Sequence, residues 1–268
     1  MTRLTDTLEV PAGTIAVGVD GSSGSDAALR AAVATAVGEH RSLTIVHAVG
    51  SAPESPLVLT DARAAVERQA PGLAVHLVLR VADPRDVLVG VSEDAAMVVV
   101  GSRGRGPTRS LLLGSVSLAV TRRASCPVVV VRPHHPGLVR HGILVAADGS
   151  PGSSPTLDFA FRQASVRRQP LTVLHVVEHA PDAVAEHELL VAEALAGQRE
   201  RHPDVRVTTQ LAHGRPDDAV LAAADRMDLL VVGAHHGGHS HRSITAAVVE
   251  RARCPVAVVP LDTVASPG

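Results

Sequence analysis

The feature that most limits what this chain can fold into is that it repeats itself. "IAVGVDGSSGS" at Ile15–Ser25 returns as "ILVAADGSPGS" at Ile143–Ser153, and "LTIVHAV" at Leu43–Val49 returns as "LTVLHVV" at Leu171–Val177. "DPRDVLV" at Asp83–Val89, "MVVVG" at Met97–Gly101 and "ASCPVVVV" at Ala124–Val131 come back as "RPDDAVL" at Arg215–Leu221, "LLVVG" at Leu229–Gly233 and "ARCPVAVV" at Ala252–Val259. Two copies of one small domain fused in tandem explain this; a single large domain does not. Asp20 to Asp148, His47 to His175 and Cys126 to Cys254 are each 128 residues apart, whereas Pro84 to Pro216 and Gly101 to Gly233 are 132 apart. The second copy therefore gains residues before its third strand and loses as many between Gly233 and Cys254. The expected domains are 1–134 and 141–268, joined through the Pro/Gly/His-rich "RPHHPGLVRHG" at Arg132–Gly142.

Within each copy, apolar runs alternate with Ala/Leu-rich stretches, the βαβα pattern of a parallel sheet with helices on both faces. The expected strands of the first copy are Thr14–Asp20, Ser42–Val49, Ala74–Val81, Ala96–Gly101 and Pro127–Arg132. They are rich in Val and Ile without polar alternation, as strands buried on both faces should be. Helices are expected at Ser25–Val37, Asp61–Gln69, Pro84–Val91 and Gly114–Ala124, with Pro84 suited to a first helical turn. The fold class is α/β: two tandem doubly wound, Rossmann-like domains, each a five-stranded parallel sheet.

Composition removes several functions. All 25 basic residues are Arg, so neither a Walker-type phosphate loop nor a Schiff-base enzyme is available. With no Trp, no Tyr and only Phe159 and Phe161, platforms for stacking single-stranded bases are missing, and a bound purine would need aliphatic walls. A net charge of -2 points to neither nucleic acid nor an acidic membrane surface. Cys126 and Cys254 occupy equivalent repeat positions and read as free, buried thiols of a reducing compartment. Met1–Gly13 has no apolar core of a leader and no run approaches a membrane span, so the expected location is the cytoplasm.

The strongest local signal is "VVVGSRGRGPTRSLLLGSVS", Val98–Ser117. It leaves a buried strand and enters a helix. Gly101 and Gly104 allow a tight turn and a close approach of backbone N–H groups to phosphate oxygens. Gly114 and Ser115 open the next helix, whose unpaired N–H groups and dipole favour an anion. Ser115 and Ser117 offer hydroxyl donors, and Arg103 or Arg105 offers charge. Such a site lies at the carboxyl ends of the strands.

Gly101-Ser-Arg-Gly104, nine residues and then Gly114-Ser115, together with "VGVDGS" on the first strand and "CPVVVV" on the last, resembles the universal stress protein family in its tandem form. The resemblance covers nearly the whole chain. It implies a loop that binds the ribose and phosphates of ATP (or ADP or AMP) with Mg, Asp20 near ribose and metal, and Ile45 or Val46 flanking adenine, with Val19 and Val100 adding apolar wall. The candidate contacts are thus Gly18, Val19, Asp20, Ile45, Val46, Val100, Gly101, Arg103, Gly104, Arg105, Gly106, Gly114, Ser115, Val116 and Ser117. It also implies a nucleotide-dependent sensor or adaptor in stress response, with adenine nucleotide as ligand, a homodimeric state and protein partners.

Other readings stay open at this point. Asp20 ahead of Gly-Ser can simply cap a turn, and Arg103 and Arg105 can be solvated loop charges. A nucleotide-free module pairing through its last strands, Pro127–Arg132 and Pro255–Pro260, is the first alternative. An adenylyl-transfer or ATP-pyrophosphatase enzyme is the second, although "DGSSGSDA" lacks that group's Ser-Gly-Gly loop. No triad or paired carboxylate motif is visible, so at most slow ATP hydrolysis is expected. In the second copy the loop reads "GAHHGGHSHRSITAAV": Arg242 stands for Gly114, His236 for Gly104, Ser243 for Ser115, and Ala146 for Gly18. That copy is expected to bind nucleotide weakly or not at all, unless Arg242 itself meets a phosphate. His235, His236, His239 and His241 read as solvated loop residues, with a metal site as the alternative.

Overall fold

The structure, a computed structural model, describes residues 10–50, 57–104, 113–132, 140–147, 149–177, 184–235 and 244–261. The side chains of 151, 184–188, 235 and 244 are not among those described. Arg105, Gly106, Asp148, His236, His239, His241, Arg242 and Ser243 lie outside these residues. The described part groups into two compact units that divide between Val128 and Val129.

The first unit runs β1 (Ile15–Gly18), α1 (Ser23–Gly38), β2 (Leu43–Val49), α2 (Leu57–Gln69), β3 (Val75–Val81), α3 (Pro84–Val91), β4 (Met97–Gly101) and α4 (Ser115–Arg123); β5, Val128–Val131, follows in sequence and starts at the division. Its strands lie in the order β3-β2-β1-β4. The pairs are parallel, with Ile15 level with both Leu43 and Met97. The chain steps from β1 outward to β2 and β3, then returns to the other side of β1 as β4. Right-handed crossovers therefore place α1 and α2 on one face and α3 and α4 on the other. Between them Ile15, Leu43, Ile45 and Met97 are fully buried.

The second unit repeats the scheme. A short 3-10 turn, Pro151–Ser153, follows β6 (Ile143–Ala146) and leads into α5 (Ser154–Arg167), β7 (Leu171–Val177), α6 (Val184–Arg201), β8 (Val207–His213), α7 (Pro216–Ala224), β9 (Leu229–His235), α8 (Ile244–Arg251) and β10 (Val256–Leu261). The strand order is β10-β9-β6-β7-β8, again parallel. Among the described residues each half of the chain thus supplies five strands and four α-helices, the doubly wound α/β arrangement.

The expectation that every strand is buried on both faces fails at β3. Leu77 is 39% and Val81 67% exposed, and Leu79 and His76 are also open to solvent. β3 stands last in its strand order, so helical cover thins there, and only Val78 is deeply buried. A continuous apolar run was misleading because one outer strand can be apolar without being covered.

Helix entries show how the copies diverged. Asp83 caps α3, accepting from the Arg85 amide (2.9 Å) with Pro84 at the first turn. The Arg85 side chain, and then its backbone N–H, hold the Asp83 carboxyl down at about 2. In α7 the order of charge is reversed: Arg215 occupies the cap position, makes no side-chain cap, and pairs with Asp217 (3.3 Å). The tether between neighbouring helices survives in both copies, as Arg123 to Asp86 (2.9 Å) and Arg251 to Asp218 (3.1 Å).

Gly18 has a packing explanation. A Cβ there would lie 3.1 Å from Leu88 Cδ1 and 3.7 Å from Val100 Cγ1, so α3 fills the space a side chain would take. The second copy carries Ala146 in place of Gly18 and Val220 in place of Leu88, moving a methyl from helix to strand. Gly18→Ala is therefore expected to lose about 1–2 kcal/mol through overpacking, and Gly18→Ala/Leu88→Val to regain most of it. Urea unfolding of the two variants measures this, and equal losses in both would contradict it.

Candidate functional site

In β3-β2-β1-β4 the direction of winding reverses between β1 and β4, so the loops leaving these two strands diverge and open a crevice at their carboxyl ends. On the β1 side the ladder ends with Val19 N–H donating to Val46 O (2.9 Å). Asp20 then turns the chain: its Oδ1 accepts from the Ser22 amide (3.0 Å), and Gly21 adopts φ +76°, which a residue with a Cβ rarely takes. Ser22 caps α1 by accepting from the Ser25 amide (3.2 Å). The other carboxylate oxygen of Asp20 lies where a Cβ on Gly104 would have to go.

On the β4 side the glycines divide into two kinds. A Cβ on Gly101 would stand 2.7 Å from the carbonyl carbon and oxygen of Gly24, and a Cβ on Gly24 would collide with the Arg103 carbonyl oxygen. These two glycines let the end of β4 and the first turn of α1 interlock, backbone against backbone. Gly114 differs. Its φ of -63° and ψ of 149° suit any residue, and a Cβ would meet nothing closer than Ser102 O at 3.4 Å. Packing among the described residues does not require a glycine there.

What Gly114 keeps clear is the start of α4. Its own N–H donates to Ser102 O (2.9 Å), and the Leu118 amide is the next to find an acceptor, Gly114 O (3.0 Å). Among the described residues no side chain caps this helix. The amides of Ser115, Val116 and Ser117 thus form the positive end of the helix dipole, facing the crevice mouth.

The expected site residues fall as follows. Gly101, Arg103, Gly104, Gly114, Ser115 and Val116 line the β4-to-α4 side, with Arg103, Gly104 and Ser115 exposed. The Ser117 hydroxyl is buried and donates to Gly101 O (2.6 Å), so its proton already ties α4 to the end of β4. Asp20 does cap a turn, and its position against Gly104 also brings it to the loop. Val19, Val46 and Val100 are buried. Ile45 is fully buried, level with Val17 and Leu77, well below the rim.

Sequence reasoning missed two residues. Gly18 is level with Val46, the last pair of that register, and β2 runs on past it, with Ala48 half-buried beyond the point where Asp20 turns the first strand away. The signal was available: the wall at the mouth comes from the last residues of β2, not its middle. Gly24 was the second, hidden because a Gly near a helix start usually needs no explanation.

The second half is built differently at the same place. Gly149 repeats the φ of +76°, and Thr245 Oγ1 donates to Gly233 O (2.7 Å) as Ser117 does to Gly101. But β9 runs on as strand to His235, pairing Gly233 with Val259 and His235 with Leu261. Leu261 Cδ1 lies 2.7 Å, and Thr156 Oγ1 2.8 Å, from where a Gly233 Cβ would be. Among the described residues, Gly152, the counterpart of Gly24, has only Ser150 Oγ near its Cβ position, at 3.7 Å, and no counterpart of the interlock is seen.

Cys126 and Cys254 are free and buried, and burial pushes their thiols up to about 12 and about 11. Among the described residues no cluster of three or more His, Cys, Asp or Glu could hold a metal, and no helix is long and apolar enough to cross a membrane.

Comparison with known proteins accords with this geometry. The Universal stress protein family matches twice, over residues 12–132 and 140–260. A universal stress protein of Mycolicibacterium smegmatis is 35% identical over 284 residues, covering 91% of this chain and 96% of its own. One from Mycobacterium tuberculosis is 36% identical over 282 residues, covering 91% and 96%. The crystal structure of a universal stress protein from Archaeoglobus fulgidus superposes with a TM-score of 0.68 at 21% identity, covering 92% of this chain and 98% of its own, a likeness of fold.

Proposed function

The chain belongs to the universal stress protein family, and on that premise we propose that its first half binds ATP and acts as a nucleotide-dependent sensor or adaptor in stress response. The observation that carries the reading is Gly114. A glycine that neither backbone angle nor packing among the described residues demands stands directly before helix amides that no described side chain caps, which is where a phosphate would need unobstructed approach. Asp20 supplies a carboxylate beside Gly104. A phosphate chain entering alone would meet that negative charge, so the reading includes Mg²⁺, held by Asp20 and the phosphates, which neutralises both. Ala48 and the Val19 backbone would border the base, with no aromatic stack. The second half, whose sequence carries Arg242 where the first has Gly114 and Ala146 where the first has Gly18, is read as nucleotide-free.

A sensor needs the ligand to favour one surface over another. Nucleotide bound at Gly104 and at Gly114–Ser117 bridges the ends of β4 and α4, and the surface they share is what a partner would read. Calorimetric titration of the full chain with ATP and Mg²⁺ tests the reading, alongside mass spectrometry of gently purified protein for carried-over nucleotide. A saturable site with one nucleotide per chain is expected; no heat at millimolar ATP would overturn it.

A further inference from the structure

We propose that His47 is a positioning residue for Asp20, and through Asp20 for the nucleotide. The inference rests on the site proposed above. The β1–β2 ladder makes its last bond at Val19 N–H, and the carbonyl of the same residue would then be left without a ladder partner. His47 Nδ1 meets it at 2.8 Å. A carbonyl only accepts, so Nδ1 carries the hydrogen. The imidazole is 2% exposed, so water does not compete for the bond. Its other nitrogen, Nε2, is buried with no hydrogen-bond partner among the described residues. The ring is thus held for one bond alone.

That bond has a defined consequence. The Val19 carbonyl belongs to the peptide plane that ends at the Asp20 nitrogen. Fixing the plane fixes the direction in which the Asp20 side chain leaves the backbone. Asp20 then spans the crevice, with Oδ1 on the Ser22 amide (3.0 Å) and Oδ2 against Gly104. With the plane released, the turn at Gly21 can rotate and carry the carboxylate away from the loop. The geometry is that of an outer-shell group orienting a group that touches the ligand.

The repeat provides its own control. His175 Nδ1 meets the Ala147 carbonyl at 3.1 Å, the same bond in the second half. Whatever this bond gives the fold, it gives twice; what it gives the nucleotide, it gives only from His47. The test is titration of the full chain with ATP and Mg²⁺, with a thermal melt for each protein: wild type, His47→Leu, His47→Asn, His47→Gln and His175→Leu. Asn places an amide N–H where Nδ1 stands, whereas Gln displaces it by one carbon. His47→Leu is expected to bind ATP roughly tenfold more weakly or worse, with His47→Asn recovering most of the loss and His47→Gln little. His175→Leu should melt earlier, as His47→Leu does, yet bind within about twofold of wild type. If His47→Leu does not fold, the Asn and Gln pair decides. Normal binding by His47→Leu, no difference between Asn and Gln, or an equal loss in His175→Leu overturns the inference while leaving the site intact. A wild type that binds no ATP overturns the site, and this inference with it.

Discussion

Gly114→Arg should lose ATP binding by roughly a hundredfold or more, the equivalent of about two charge-assisted hydrogen bonds from helix amides to phosphate. The substitution copies the residue that the second half carries at this position, Arg242. The backbone at 114 suits any residue and a Cβ has 3.4 Å of clearance, so the unfolding free energy should change by less than about 1 kcal/mol. Separation of the two effects is what makes the experiment decisive. An Arg side chain could offer its own charge to a phosphate, so Gly114→Leu belongs beside it as an uncharged block of similar reach. Both variants failing to bind while melting like wild type places the phosphate at the α4 entry. Normal binding by Gly114→Leu would place it elsewhere.

Gly24→Ala should be the most destabilising single methyl in the first half. The added carbon would collide with the Arg103 carbonyl oxygen, a backbone atom that no side-chain rotation can move aside. Relief requires shifting either the first turn of α1 or the residues after β4, at a cost of about 2–3 kcal/mol, the upper range of overpacking. ATP binding should fall as well, because Arg103 leads directly to Gly104. The matching change in the second half, Gly152→Ala, meets only Ser150 Oγ at 3.7 Å. There the smaller conformational freedom of Ala in the unfolded chain should leave stability unchanged or raise it by about 0.5 kcal/mol. Urea unfolding compares the two, and equal costs would contradict the interlock seen only in the first half.

The architecture was legible because the repeat and the apolar runs are long-range and redundant. Pro84–Val91 was expected as a helix and is one, and β2, β3 and β4 end where their apolar runs end. The site was legible only as a set of glycines. Sequence cannot separate a glycine kept for backbone contact, such as Gly101 or Gly24, from one with room around its Cβ position, such as Gly114; that distinction needs the atoms around an imagined Cβ. Nor can it place the rim. Ile45 and Val46 are as apolar as a base pocket requires, but the register puts them below the mouth and leaves Ala48 there. The Ser117 hydroxyl is a similar case: the motif marks it as a donor, and only the fold reveals the Gly101 carbonyl that takes its proton.

The methyl exchanged between strand and helix bears on how a fused duplication survives. Two near-identical stretches within one gene invite misaligned crossover, which would splice the opening segment of one copy to the middle of the other. Ala146 arriving opposite Leu88 would be overfilled, and Gly18 opposite Val220 would leave a void. Either hybrid should fold less well than both parents and be lost. A single displaced carbon would in this way hold the two copies apart and leave each free to diverge around its own crevice.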